Sequence, residues 1–145
     1  MSVIHDINNQ SVIIGMDSSL VHCKDWSEEA FSIYTGLEVN EKGFFPLEAH
    51  RPLLFQVIDL MHDEISKELV IHESNADFYI IAKYLPDHSN TKYVELVGYL
   101  QEHQVKYSRK VSGTYRVNSK EIKSIIDLRY LLRQYLPKNI KELYT

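Results

Sequence analysis

Apolar residues recur along this chain with two different spacings, and the change of spacing marks out the elements. Ser11 to Met16 (SVIIGM) is a short, partly β-branched apolar run that predicts a buried strand. Turn residues Asp17, Ser18 and Ser19 follow, and Leu20 to Cys23 reads as a second short strand, which makes an opening hairpin. Asp25 stands where a helix cap is needed, with Glu28 three residues on as the second half of a capping box. Ala30, Phe31, Ile33, Tyr34 and Leu37 repeat at helical spacing, and Gly36 supplies the stop. A loop with Gly43 and Pro46 leads to Pro52, placed for the first turn of a longer helix reaching about Lys67. Its apolar face is Leu53, Leu54, Val57, Leu60, Met61 and Ile65.

Beyond that point the period drops from 3.6 to 2, and three strands are expected at Leu69 to His72, Asp77 to Leu85 and Lys92 to Leu100. The polar stretch from Pro86 to Thr91 joins two long alternating runs, so these pair as an antiparallel hairpin. Gly113 marks a break. Asn118 and Glu121 then repeat the capping-box pattern and open a helix from Ser119 to Leu136, which carries Ile122, Ile125, Ile126, Leu128, Leu131, Leu132, Tyr135 and Leu136 and ends at Pro137.

The chain has 145 residues, 44% hydrophobic and 25% charged, enough for one folded domain with an appendage. The net charge of −4 hides a division. Residues 1 to 105 hold 6 Lys and Arg against 17 Asp and Glu, or −11, while residues 106 to 145 hold 10 against 3, or +7. We therefore divide the chain into an α+β domain over 1–105 and a basic helical segment over 106–145. The simplest account of the asymmetry is that acidic body and basic segment pair with each other within one fold or in a dimer. A basic surface for nucleic acid or for an acidic protein partner is the alternative. The single cysteine, Cys23, cannot form an intramolecular disulfide. No apolar run approaches the roughly 20 residues of a membrane span, and the N-terminal residues lack a signal-peptide pattern, so the expectation is a cytoplasmic protein with no membrane contact.

The stretch SVIIGMDSSLVHCKDWSEEAFSIYTGL resembles the opening of a PAS domain, with Asp17, Val21, Ala30 and Gly36 at the matching positions, and YVELVGYLQEH is similar to the last PAS strand. The resemblance covers about residues 10 to 105. It implies an antiparallel sheet with helices inserted after the first hairpin, and a ligand pocket between sheet and helices lined by Phe31, Tyr34, Leu54, Ile58, Tyr79 and Ile81. The flavin-reactive cysteine motif is absent, and His50 or His62 would be the proximal ligand if haem were bound; no cofactor is expected. The final VNSKEIKSIIDLRYLLRQYLPKNIKELY is similar to the first part of a LuxR-type helix-turn-helix, yet too little chain follows Pro137 for a recognition helix. The amphipathic helix is instead expected to pack on the sheet or pair in a dimer. Arg129, Arg133, Lys138 and Lys141 are the candidate contacts to nucleic acid or a partner.

Catalytic readings are weaker. None of the seven histidines forms an i, i+4 pair or a compact Cys/His cluster. His62-Asp63, with His22 before and Asp127 after, follows the ligand order of HD-type metal phosphohydrolases, and IIGMDSS is similar to the first strand of RNase H-like nucleases. Cys23 beside His22 points to the opposite strand face, wrong for direct proton transfer. The expected function is a non-enzymatic regulatory or signalling module that binds a small ligand or protein partner and transmits through its basic C-terminal helix, with a role in transcription regulation. A metal-dependent phosphohydrolase or nuclease, or an immunity-type inhibitor that masks a basic partner, are the alternatives.

Overall fold

A mixed, seven-stranded sheet carries helices on one face and a second, three-stranded sheet on the other. The computed structural model describes the backbone of residues 2–5 and, in full, residues 11–19, 25–48, 52–60, 68–86 and 89–132. Strands β1 (Ser2–His5) and β2 (Val12–Asp17) are antiparallel neighbours at one edge. In β2 the alternate residues Val12, Ile14 and Met16 are buried, as the apolar run predicts. Helix α1 (Trp26–Thr35) begins where the sequence places it: the Asp25 carboxylate accepts from Ser27 N at 3.0 Å and Glu28 N at 3.1 Å. It ends on Gly36 at φ 79°, a left-handed conformation that favours glycine.

Strands β3 (Phe45–Leu47), β4 (Leu53–Leu60), β6 (Phe78–Tyr84) and β7 (Thr91–Gln101) complete the main order, β1-β2-β7-β6-β4-β3. The β6–β7 pair is the predicted antiparallel hairpin. Between β4 and β6 the chain leaves the layer, and β5 (Glu68–His72) joins β8 (Arg109–Val111) and β9 (Thr114–Asn118) in the second sheet, order β5-β9-β8. A short helix α2 (Glu102–Lys106) follows β7. After β9 come a one-turn 3-10 helix (Ser119–Glu121), β10 (Lys123–Ser124) against β7, and α3 (Ile125–Leu132).

The α+β class holds, while four element-level expectations are corrected. The helix expected from Pro52 to Lys67 is strand β4 as far as Leu60, and residues 61–67, with Met61 and Ile65, lie outside the described residues. Its pattern misleads because β4 is covered on both faces. Phe55 and Val57 join the helix-side core and Ile58 and Leu60 the opposite core, so no polar side reveals the period of 2. The sheet is mixed rather than antiparallel, because β4 runs parallel to β6. Strand β5, expected in the same sheet as β6 and β7, belongs to the second sheet. The helix expected from Ser119 starts at Ile125: the Asn118 cap accepts from Lys120 N and opens only one turn before β10 pairs with β7. The break at Gly113 is the turn of the β8–β9 hairpin, with Ser112 and Gly113 both at positive φ. Leu20 to Cys23 lies outside the described residues.

One irregularity positions the two cores. Ile81 pairs with Gly98 and Ala82 with Leu96, so Val97 is an extra residue that bulges β7. The bulge reverses the alternation: Val94, Leu96 and Tyr99 reach the helix side, and Val97 and Leu100 the other. Gly98 lies against the incoming β10, where a Cβ would overlap the Lys123 carbonyl oxygen and Ile122 Cγ2.

Candidate functional site

The structure divides the predicted ligand pocket between the two faces of the main sheet. Phe31 and Tyr34 of α1 belong to the core under the helices, whereas Tyr79 and Ile81, with Ile58 packed against them, belong to the core under the second sheet. Leu54 is half-buried on β4, its backbone N–H donating to Asp77 Oδ2 at 2.8 Å. Aromatic rings fill the space between sheet and α1. Phe31 meets Phe45 edge-on at 5.0 Å, and Phe55 stacks on Phe78 at 4.8 Å. Burial pushes the Tyr34 hydroxyl up to about 12, against the opposing charge of Arg129.

Arg129, half-buried on α3, lies 5.4 Å from the ring of Tyr130, while Ile125, Leu128 and Leu132 of the same helix are buried in the helix-side core. The described part of the C-terminal helix thus packs on the sheet. Arg133, Lys138 and Lys141 lie outside the described residues, as do His22, Cys23, His50, His62 and Asp63. Among the described residues, no group of three His, Cys, Asp or Glu side chains is placed to hold a metal ion, and no helix is long and apolar enough to cross a membrane.

Two groups of polar side chains stand out. At the start of α1, half-buried Asp59 of β4 faces Asp25 and Ser27. Burial, then the like charge of Asp25, holds the Asp59 carboxyl above its ordinary range, and the nearby Ser27 hydroxyl opposes this in part. Glu28 is raised for the same reasons, burial first and then Asp25 and Asp59. Neither Ser27 Oγ nor Asp59 Oδ1 makes a hydrogen bond of good geometry.

The second group lines a groove of about 490 Å³ between α2 and the end of β9. Helix α2 and the turn after it contribute His103, Gln104, Tyr107 and Ser108; β9 contributes Arg116, Val117 and Asn118; Glu121 and Lys123 close it from the connector to α3. Gln104 is the brace. Its Oε1 accepts from Gln101 N at 2.8 Å, and its Nε2 donates to the Glu121 carbonyl at 2.8 Å. Lys123 Nζ donates to Gln101 Oε1 at 3.0 Å. Arg116 lies in the groove wall with its Nε buried and without a hydrogen-bond partner.

The basic segment also answers the acidic body. Arg109 reaches Glu68 at 3.1 Å and Lys110 reaches Glu73 at 3.1 Å, both from β8 to β5 and the loop after it. These two ion pairs join the basic segment to the acidic body within one fold. The groove itself was missed in the sequence, because residues 109–118 show no long periodic run. The legible signal was Ser112-Gly113 between RKV and TYRV, a two-residue hairpin turn that would have put Arg116 on the face opposite Tyr115 and Val117. Compared with protein-family models, with curated proteins and with solved structures, the chain finds no match.

Proposed function

We propose that this chain is a regulatory binding module that takes a ligand in the groove beside α2 and passes the effect to its C-terminal helix. One observation carries the reading: Glu121 and Lys123, which wall the groove, lie on the connector that runs from β9 directly into α3. A ligand that shifts the connector acts on two hydrogen bonds, Gln104 to Glu121 and Lys123 to Gln101, and on the two-residue pairing of β10 with β7. Helix α3 starts at the next residue. Differential contact with two positions of such an element is what a ligand needs to shift an equilibrium.

The PAS resemblance supports a sensory role through β2, the Asp25-capped and Gly36-terminated α1, and the β6–β7 hairpin. The parallel β4 is a departure from the sheet it implies, and the aromatic packing under α1 moves the ligand site to the opposite side of the sheet.

Gln104→Ala tests the relay. Losing the brace is expected to speed amide exchange in Ile125–Leu132 by about 5- to 10-fold, the equivalent of one hydrogen bond, while β4 and β6 keep their protection. Unchanged exchange in α3 would show that the connector does not govern the helix, and the relay would be lost.

A further inference from the structure

We infer that the groove binds a small organic oxyanion, a carboxylate or phosphate carried on a planar ring, with Arg116 as the anion-binding residue. The inference deepens the proposed function and rests on its use of this groove. The first ground is the state of Arg116. A guanidinium is charged at any accessible pH, and a partly buried one costs stability unless an acceptor meets it. The neighbouring hairpin cations have acceptors: Arg109 has Glu68, and Lys110 has Glu73. The Arg116 side chain makes neither an ion pair nor a hydrogen bond to a described residue, and its Nε is buried.

The second ground is that the one carboxylate in the groove is directed elsewhere. Glu121 Oε2 lies 3.4 Å from Gln104 Nε2, and Glu121 forms no ion pair with Arg116. The groove therefore offers the Arg116 guanidinium no acceptor of its own, and Lys123, which also lines it, adds a second positive charge. A planar fork of N–H donors matches carboxylate and phosphate oxygens, two at a time. The third ground is Tyr107, 89% exposed at the rim. An aromatic ring so fully in water has an apolar face to offer, and a ligand ring stacked on it would remove that face from solvent. The volume of about 490 Å³ lies within the usual range for small-molecule sites.

The test uses the full chain labelled with ¹⁵N, following the Arg116 Nε–H resonance during titration with phenyl phosphate, benzoate and inorganic phosphate. Phenyl phosphate or benzoate is expected to shift it saturably, with a Kd of about 1 mM or tighter; whichever binds tighter identifies the oxyanion. Arg116→Gln is expected to weaken binding about 10- to 100-fold, the loss of a charge-assisted contact, and Arg116→Lys to restore part of it in a folded protein. Tyr107→Ala is expected to bring the affinity for phenyl phosphate down to that for inorganic phosphate. No saturable shift with either aromatic probe, or equal binding by Arg116→Gln, overturns the inference. Equal affinity of wild type for inorganic and phenyl phosphate overturns the ring contact. If Arg116 saturates while the amides of Ile126 and Leu131 stay unmoved, the oxyanion site stands and the relay to α3 falls.

Discussion

The two faces of the main sheet are covered in different ways. The helix side is rich in rings: Phe31 of α1 and Phe45, Phe55, Phe78 and Tyr99 of the sheet form a continuous chain of aromatic contacts. The other side is closed by three short strands and a five-residue helix over a core of aliphatic groups with Tyr79 and Tyr115, and its hydroxyls bring hydrogen bonds into the cover. There the Tyr79 hydroxyl lies 3.1 Å from Ser74 Oγ, which donates to Gln56 Oε1 at 2.9 Å. Ion pairs from β8 close its rim. A face packed with rings leaves little room to change, whereas a cover held partly by directional bonds can shift by breaking one of them. The groove and the connector to α3 lie on the second kind of cover.

The sharpest way to break this contrast is to remove a ring from the first face. Phe55 is fully buried and touches both Phe31 and Phe78, so Phe55→Ala is expected to cost about 3–5 kcal/mol in urea denaturation. A cost under about 1 kcal/mol would mean that the helix side is as adaptable as the other. Gly98→Ala strikes the seam between faces. Its Cβ would meet Lys123 backbone, which cannot swing aside as a side chain can, so about 1–3 kcal/mol is expected, with β10 parted from β7. Loss of α3 protection in hydrogen exchange would accompany it; retention of that protection would separate β10 from the helix it precedes.

How much of this was legible in the sequence follows from the same contrast. Elements with one buried face or a specific cap were readable: β2 by its alternation, and α1 by Asp25 and Gly36. Strand β4 was not, since Leu53, Phe55 and Val57 serve one core and Ile58 and Leu60 the other, which removes the polar half of the pattern. The PAS resemblance implies one pocket lined by six residues, but the sheet passes between Phe31 and Tyr79. The groove was only partly legible, in the Ser112-Gly113 turn, for a different reason. Its polar residues come from α2, β9 and the connector, and only the pairing of β9 with β5, some 45 residues earlier in the chain, brings that hairpin back over β7.

On the second face, Tyr79→Phe deletes one hydroxyl while keeping the ring. It is expected to cost about 1 kcal/mol, several-fold less than Phe55→Ala, because a single buried hydrogen-bond partner is lost without a cavity. Stability equal to wild type would mean that the polar contacts under the second sheet are neutral. A loss of the size expected for Phe55→Ala would make them as rigid as the rings opposite.

The smallest effect is electrostatic, and it has a sign. Asp59 sits on the helix side at the edge of the ring cluster, where burial and Asp25 raise its carboxyl above 3.8 and the Ser27 hydroxyl pulls the other way. Glu28 and Tyr84 nearby are raised as well, by burial first and by the Asp59 charge in addition. A carboxyl with a raised folded-state value binds its proton more tightly in the folded chain than in the unfolded one. Stability from this group therefore falls as pH rises from the unfolded value to the folded one, and the penalty persists above that interval. Asp59→Asn removes the charge and keeps the shape. The variant is expected to be more stable than wild type at about pH 7, by less than about 1 kcal/mol because the site is only half-buried, and the advantage is expected to shrink towards about pH 4. Urea midpoints at the two pH values decide it. If Asp59→Asn is the less stable protein at about pH 7, the carboxylate is held by a favourable contact at the start of α1, and even the ring-packed face keeps a charge for a purpose other than packing.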